Sequence, residues 1–127
     1  MKRRILIIDD SATSRMVLQS IVRTAGYETS EAADAEHGVT MALEERPDIV
    51  LLDVLMPGMD GLTACRVLRD KPETRHMPII LVTTQSAEGS VEAGFTCGCS
   101  DYVLKPADEA ELLAKIANCL SALPPSA

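Results

Sequence analysis

Five short segments rich in aliphatic residues are spaced along the chain, and polar or turn-forming residues bound each of them. Four are nearly continuous apolar runs, which is typical of strands buried on both faces of a parallel sheet. The second segment is weaker and more polar. The predicted strands cover residues 5–8, 27–32, 49–53, 78–83 and 101–104.

Between these segments, apolar residues recur at the three- and four-residue spacing of an amphipathic helix. We expect Gly26 to end the first helix and Asp34 to cap the second. A further helix over residues 86–98 is expected to be short or frayed, because each of its three glycines weakens a helix by about 1 kcal/mol. The inward positions of the other four helices are Leu18, Ile21, Val22 and Ala25, then Val39, Ala42 and Leu43, then Ala64, Val67 and Leu68, and finally Leu113, Ile116, Ala117 and Leu120.

This fivefold alternation of strand and helix predicts an α/β fold. The rules for connecting such elements give a five-stranded parallel sheet with helices on both faces, a doubly wound (βα)5 sandwich. A chain of 127 residues suits a single domain. We assign residues 1–121 to that domain and expect residues 122–127 to be a disordered tail or the start of a linker.

The chain is acidic, with a net charge of −7 and a pI near 4.7. This charge argues against a direct nucleic acid partner, because binding to phosphates needs clustered Lys and Arg. No apolar stretch approaches 18 residues and the N-terminus lacks a signal-peptide core, so we expect no membrane partner and a cytoplasmic location. Cys97 and Cys99 lack a second pair at zinc spacing, and we expect the cysteines to be reduced and structural.

Polar residues end four of the predicted strands. Asp9 and Asp10 follow the first strand, Asp53 ends the third, Thr83 the fourth, and Lys105 follows the fifth. The carboxyl ends of parallel strands share one edge of a sheet, where ligands bind. Asp53 alone is consistent with a metal ligand, a nucleophile or a helix cap. Five polar residues at the ends of apolar strands favour a functional cleft over five separate helix caps or loop residues.

Three neighbouring carboxylates repel one another, and two like charges about 4 Å apart cost about 4 kcal/mol at an effective dielectric constant of about 20. A divalent cation relieves this repulsion, and a site made of oxygens with room for water suits Mg²⁺. Lys105 can then pair with one further anion. Phosphate fits, because the Thr83 hydroxyl can donate a hydrogen bond to it. A carboxylate beside the metal can also be the nucleophile that accepts a phosphoryl group as an acyl phosphate.

Four motifs carry a resemblance to a known family. They are Ile7-Ile8-Asp9-Asp10, Asp53-x-x-Met56-Pro57-x-x-Asp60-Gly61, Val82-Thr83 and Tyr102-Val103-Leu104-Lys105-Pro106. In these motifs and their spacing, residues 2–121 resemble the CheY-like receiver domains of bacterial two-component response regulators. The resemblance implies a flavodoxin-like fold with strand order 2-1-3-4-5.

The resemblance also implies a role for each residue at the sheet edge. Asp53 is the phospho-acceptor, and Thr83 and Lys105 contact the phosphoryl group. The implied Mg²⁺ ligands are Asp9, Asp10, Asp53 and the backbone carbonyl of Leu55.

Two further features follow from the same resemblance. Thr83 and Tyr102 form a switch, in which the tyrosine turns inward as the threonine moves toward the phosphate. The peptide bond between Lys105 and Pro106 is cis, which the proline makes accessible.

The implied function is that of a phosphorylatable switch. Asp53 takes a phosphoryl group from the phosphohistidine of a sensor histidine kinase or a histidine phosphotransfer domain. The added charge changes the face made by the fourth predicted helix, the fifth strand and the fifth predicted helix, which binds a downstream protein or effector domain. Such a domain catalyses only its own phosphorylation and hydrolysis and is not a turnover enzyme; a phosphorylation-dependent homodimer is a further expected partner.

Three other functions share parts of this pattern. A phosphatase with an aspartyl nucleophile needs a second Asp two residues further on, where this chain has Leu55. A flavin-binding module of the same fold needs hydroxyls and amides in its first loop, where Asp9 and Asp10 would repel phosphate. A receiver-like module that binds proteins without phosphorylation is the main alternative, and the full set of five polar residues argues against it.

Leu55 and Gln85 occupy the two positions that help to set the rate of dephosphorylation in the family. We predict that apolar Leu55 orients and admits the attacking water poorly, so that the phosphorylated form is long-lived. A Leu55→Asn variant should therefore lose phosphate faster than the parent protein in a discharge assay. An unchanged rate of loss would contradict this role for Leu55.

Overall fold

A computed structural model provides the structure, and it describes residues 3–54, 56, 58–83 and 98–121. The five strands are β1 (Arg4–Ile8), β2 (Glu28–Ala32), β3 (Ile49–Asp53), β4 (Ile79–Thr83) and β5 (Asp101–Leu104). The described helices are α1 (Ala12–Thr24), α2 (Ala35–Glu45), α3 (Gly61–Asp70) and the C-terminal helix (Glu109–Ser121). The helix predicted over residues 86–98 and the tail predicted over residues 122–127 lie outside the described residues, apart from Gly98. No helix among the described residues combines the length and apolar character that crossing a membrane requires.

All strand pairs in the sheet are parallel, and the strand order is β2-β1-β3-β4-β5. This order confirms the predicted flavodoxin-like, doubly wound fold. The pairing places Ile8 opposite Leu52, and Asp53 opposite Val82. The ends of β1, β3 and β4 therefore stop at nearly the same level of the sheet, and the residues that follow them share one edge.

Each face of the sheet carries its own apolar layer, because successive side chains of a strand point to opposite faces. One layer lies under α2 and α3 and includes Leu6, Leu52 and Leu68. The other lies under α1 and the C-terminal helix and includes Ile7, Leu51 and Ile116. The near-continuous apolar runs of the sequence are thus explained, since every residue of β3 and β4 is buried.

The helix boundaries follow from local capping. The Ser11 hydroxyl accepts a hydrogen bond from the Ser14 N–H at the start of α1. Asp34 caps α2 in the same way, as its position in the sequence predicted. Asp60 caps α3 by accepting from the N–H of Thr63.

The C-terminal helix buries a face that shares Ile116 and Leu120 with the predicted one but includes Leu112 in place of Leu113 and Ala117. Leu112 and Ile116 are fully buried, whereas Ala117 is exposed. Two apolar stripes share Ile116 and Leu120 on this helix, and spacing alone does not choose between them. Packing against the sheet selects the stripe that begins at Leu112.

Gly61 brings the start of α3 against the end of β3. A Cβ atom at this position would collide with the backbone carbonyl oxygen of Asp53 and with Val54. The Gly61 N–H donates a hydrogen bond of 3.0 Å to the carbonyl of Val54. The absence of a side chain at Gly61 therefore allows the start of α3 to approach the backbone at the end of β3 closely.

We expect Gly61→Ala to destabilise the protein by about 1–3 kcal/mol, because rigid backbone must move to admit the new methyl group. Urea denaturation should show a lower midpoint with an unchanged slope. Thr63→Ala, an exposed change two residues along the same helix, serves as the control and should leave the midpoint nearly unchanged. Equal stability of Gly61→Ala and the parent would contradict the close approach.

Candidate functional site

An acidic cluster lies at the carboxyl edge of the sheet. Asp9 follows β1 and Asp53 ends β3, and both are almost fully buried, whereas Asp10 is exposed. One carboxylate oxygen from each of the three residues lies within 4.8 Å of the other two. Among the described residues, this cluster has an arrangement that can hold a metal ion.

Lys105 reaches this cluster from the loop that follows β5. Its Nζ lies 2.9 Å from Oδ2 of Asp9 and 3.5 Å from Oδ1 of Asp53. Its backbone N–H donates to the carbonyl of Thr83 at 2.6 Å, and Thr83 is itself buried at the end of β4. The structure thus brings residues from the ends of four strands to one edge.

Several groups fix Asp9 in place. The N–H of Ser11 donates to its Oδ1 at 2.9 Å, and Arg15 of α1 donates to its backbone carbonyl at 2.7 Å. Burial alone raises the pKa of Asp9, but hydrogen bonds from Ser14, Lys105 and Ser11, together with the charge of Lys105, bring that pKa below its ordinary value. Asp9 is therefore an ionised carboxylate at neutral pH.

The surroundings of Asp53 raise its pKa, whereas those of Asp9 lower it. Burial and the negative charge of Asp9 raise the pKa of Asp53 to about 6, although Lys105 acts in the other direction. Three carboxylates against one ammonium leave two negative charges uncompensated. One divalent cation supplies that charge, and carboxylate oxygens are the ligands that hard cations such as Mg²⁺ prefer.

Other residues singled out in the sequence fall into three groups. Tyr102 is half-buried on β5 and is not one of the three residues of the acidic cluster. The Lys105–Pro106 peptide bond is cis. Leu55 lies outside the described residues, so the carbonyl ligand that the resemblance implies stays a prediction.

Arg15 has a structural role that the sequence pattern did not predict. Its Nε also lies 3.4 Å from Oε1 of Glu31, so this side chain joins α1 and β2 to the backbone of Asp9. Arg15 lies one turn after the Ser11 cap, and side chains at that position point back toward the start of the helix and the end of β1. This position was the one feature of the sequence that could have indicated its contact with Asp9. A single arginine on a helix carries too little pattern to be recognised from sequence alone.

The fold and the acidic cleft define the class of CheY-like domains, and comparison with known proteins agrees. A family model described as the response regulator receiver domain matches residues 5–117. The chain is 42% identical over 116 residues to the response regulator PleD of Caulobacter vibrioides, covering 91% of this chain and 26% of PleD. It is 41% identical over 113 residues to protein PilH of Pseudomonas aeruginosa, covering 89% of this chain and 93% of PilH. The chain belongs to the family of response regulator receiver domains, the signalling modules of two-component systems.

A solved structure extends this likeness to three dimensions. The receiver domain of sensor histidine kinase PA1611 from Pseudomonas aeruginosa PAO1 matches with a TM-score of 0.89 and 30% identity, covering 96% of this chain and 100% of that chain. In that structure a magnesium ion is coordinated in the active site cleft. This chain spans about a quarter of the length of PleD.

The raised pKa of Asp53 predicts how stability depends on pH without divalent cations. The folded protein holds the Asp53 proton more tightly than the unfolded chain, so the free energy of unfolding falls as pH rises from about 4 to about 6. Asp53→Asn lacks this titration. We therefore expect it to be more stable than the parent at pH 7 in EDTA, by on the order of 2 kcal/mol, and the gap to close near pH 4.

Urea denaturation of both proteins at several pH values measures this gap. Glu44→Gln removes an exposed carboxylate from α2 and should show no such pH-dependent gap. A difference between Asp53→Asn and the parent that stays constant with pH would contradict the buried, raised-pKa state of Asp53.

Proposed function

We propose that this chain is a phosphorylatable receiver in which Asp53 accepts a phosphoryl group from a phosphohistidine. The donor is a sensor histidine kinase or a histidine phosphotransfer domain. The observation that carries the proposal is the arrangement at Asp53, which is buried, lies 3.5 Å from the ammonium of Lys105 and shares an acidic cluster with Asp9 and Asp10. Membership of the receiver family supports the same reading.

The donor set fits Mg²⁺. It consists of carboxylate oxygens, one of them exposed to water, and it carries two negative charges that Lys105 does not balance. Asp9, Asp10 and Asp53 would hold the ion, with the Leu55 carbonyl as the further ligand implied by the family. When bound, the ion offsets the charge of the carboxylates and of the incoming phosphoryl oxygens. The magnesium seen in the PA1611 receiver supports this assignment.

Asp53, Lys105 and Thr83 would each have a separate role in phosphoryl transfer. An Asp53 carboxylate oxygen forms a bond to phosphorus while the bond from phosphorus to the imidazole nitrogen breaks, and that electron pair stays on the imidazole. Lys105 offers N–H donors and a positive charge beside Asp53, which favours the extra negative charge of the product. Thr83 is buried at the end of β4, and its hydroxyl would donate a hydrogen bond to a phosphoryl oxygen.

The output follows from the connection of the site to β5. Lys105 lies directly after β5, and Thr83 pairs with Leu104 of that strand. A movement of Thr83 and Lys105 toward a phosphoryl group would act on β5 and on Tyr102. The face that changes is that of the fourth predicted helix, β5 and the C-terminal helix, and it would bind a downstream protein, an effector domain or a second copy of the chain.

The proposed function also covers the extent of the domain and the limits of its catalysis. Residues 1–121 form the receiver, and its catalysis is confined to its own phosphorylation and hydrolysis. A cytoplasmic location agrees with a kinase as donor and stays a prediction.

Intact mass after incubation with acetyl phosphate tests this function. We expect the added mass of one phosphoryl group, dependent on Mg²⁺ and absent from Asp53→Asn. Lys105→Met should give a much smaller fraction of adduct, because its positive charge no longer offsets the phosphoryl oxygens. Asp70→Asn removes an exposed carboxylate at the end of α3 and should behave like the parent.

Failure of the parent to form an adduct, with short lifetimes covered by rapid quench, would overturn the proposal. That result would favour the alternative function, a receiver-like module that binds proteins without phosphorylation. An adduct that persists in Asp53→Asn would place the phospho-acceptor elsewhere.

A further inference from the structure

Lys115 of the C-terminal helix contacts Tyr102 in two ways. Its Nζ donates a hydrogen bond of 2.6 Å to the backbone carbonyl of Tyr102, and the same ammonium lies 5.0 Å from the centroid of the Tyr102 ring. An ammonium within about 6 Å of an aromatic ring is attracted to its face. One side chain therefore holds both the backbone and the ring of Tyr102.

Asp101 completes this arrangement. Its Oδ1 accepts a hydrogen bond of 2.8 Å from the N–H of Tyr102 and lies 3.6 Å from Nζ of Lys115. The N–H, the carbonyl and the ring of Tyr102 are thus all engaged by one pair of opposite charges. The Lys115 side chain is only 24% exposed, so water screens these contacts less than at an open surface.

The C-terminal helix, which carries Lys115, is held against the sheet by its buried residues. Ile116, the neighbour of Lys115, is fully buried in the apolar layer between the C-terminal helix and the sheet. The helix cannot follow a movement of Tyr102 without disturbing that layer. When the ring is displaced, the Lys115 side chain must therefore change its own conformation to keep the contact, or lose it.

We propose that Lys115 is a positioning residue that holds Tyr102 in the position seen in this structure and so opposes the movement of Tyr102 that phosphorylation of Asp53 would produce. This inference rests on the proposed function, because it assigns a regulatory role to a residue outside the phosphorylation site. Coupling between two sites is reciprocal. If Lys115 favours the observed position of Tyr102, its removal favours the activated position and makes binding at Asp53 tighter.

The chain offers a direct optical readout of this effect. It contains two tyrosines and no tryptophan, so Tyr27→Phe leaves Tyr102 as the single tyrosine. In that background, tyrosine emission and its quenching by acrylamide report on the Tyr102 ring. Beryllofluoride with Mg²⁺, a non-covalent mimic of a phosphoryl group on a carboxylate, serves as the probe of the site.

We expect Lys115→Met to decrease acrylamide quenching of Tyr102 without the probe, because the ring turns inward in the activated position. We also expect it to lower the midpoint of the beryllofluoride titration by about two- to fivefold, the size of a partly exposed cation–ring contact. Lys115→Arg keeps the charge and the donors and should restore the parent midpoint. Lys71→Met removes the same type of side chain at the end of α3 and should change neither measurement.

Lys115→Gln provides a second neutral variant that can still donate to the carbonyl of Tyr102, and it should reproduce the lower midpoint even if Lys115→Met folds poorly. An unchanged or higher midpoint in the neutral variants, with a responsive parent, would overturn the role of Lys115 and leave phosphorylation at Asp53 intact. No response of the parent to beryllofluoride, together with no phosphoryl adduct by mass, would overturn the proposed function and this inference with it.

Discussion

Like-charge repulsion between Asp9 and Asp53 is the constraint on which this structure depends. Both carboxylates are almost fully buried, and among the described residues Lys105 is the one cation that forms an ion pair with either of them. Hydrogen bonds keep Asp9 ionised, whereas burial and the negative charge of Asp9 together raise the pKa of Asp53 to about 6. A divalent cation held by Asp9, Asp10 and Asp53 would relieve this repulsion.

The elements around the cluster are arranged to keep it in place. Gly61 lets α3 start directly against the end of β3, and Arg15 ties α1 to the backbone of Asp9. Neither residue needs to take part in the chemistry. Their contacts explain how a site built from separate strands keeps a geometry set to a few ångströms, and why small changes far from Asp53 are expected to affect it.

β5 is the element that links the site to the surface. Lys105 continues from its carboxyl end, while Tyr102 near its start is held by Lys115 and Asp101. The strand thus has an electrostatic contact at each end, one sensitive to the charge on Asp53 and one to the C-terminal helix. In the proposed function, these two contacts connect the charge at Asp53 to the C-terminal helix through β5.

The sequence by itself determined the five strands, the parallel α/β class and the positions of the polar strand ends, because these follow from local apolar runs and from the connection rules for parallel strands. It also supplied Asp34 as a helix cap. Tertiary structure alone decided that Leu112 rather than Leu113 faces the core, that Arg15 supports Asp9, and that Lys115 lies over Tyr102. Each of these depends on contacts between elements distant in the chain, and residue spacing within one helix carries no information about which neighbour that helix will meet.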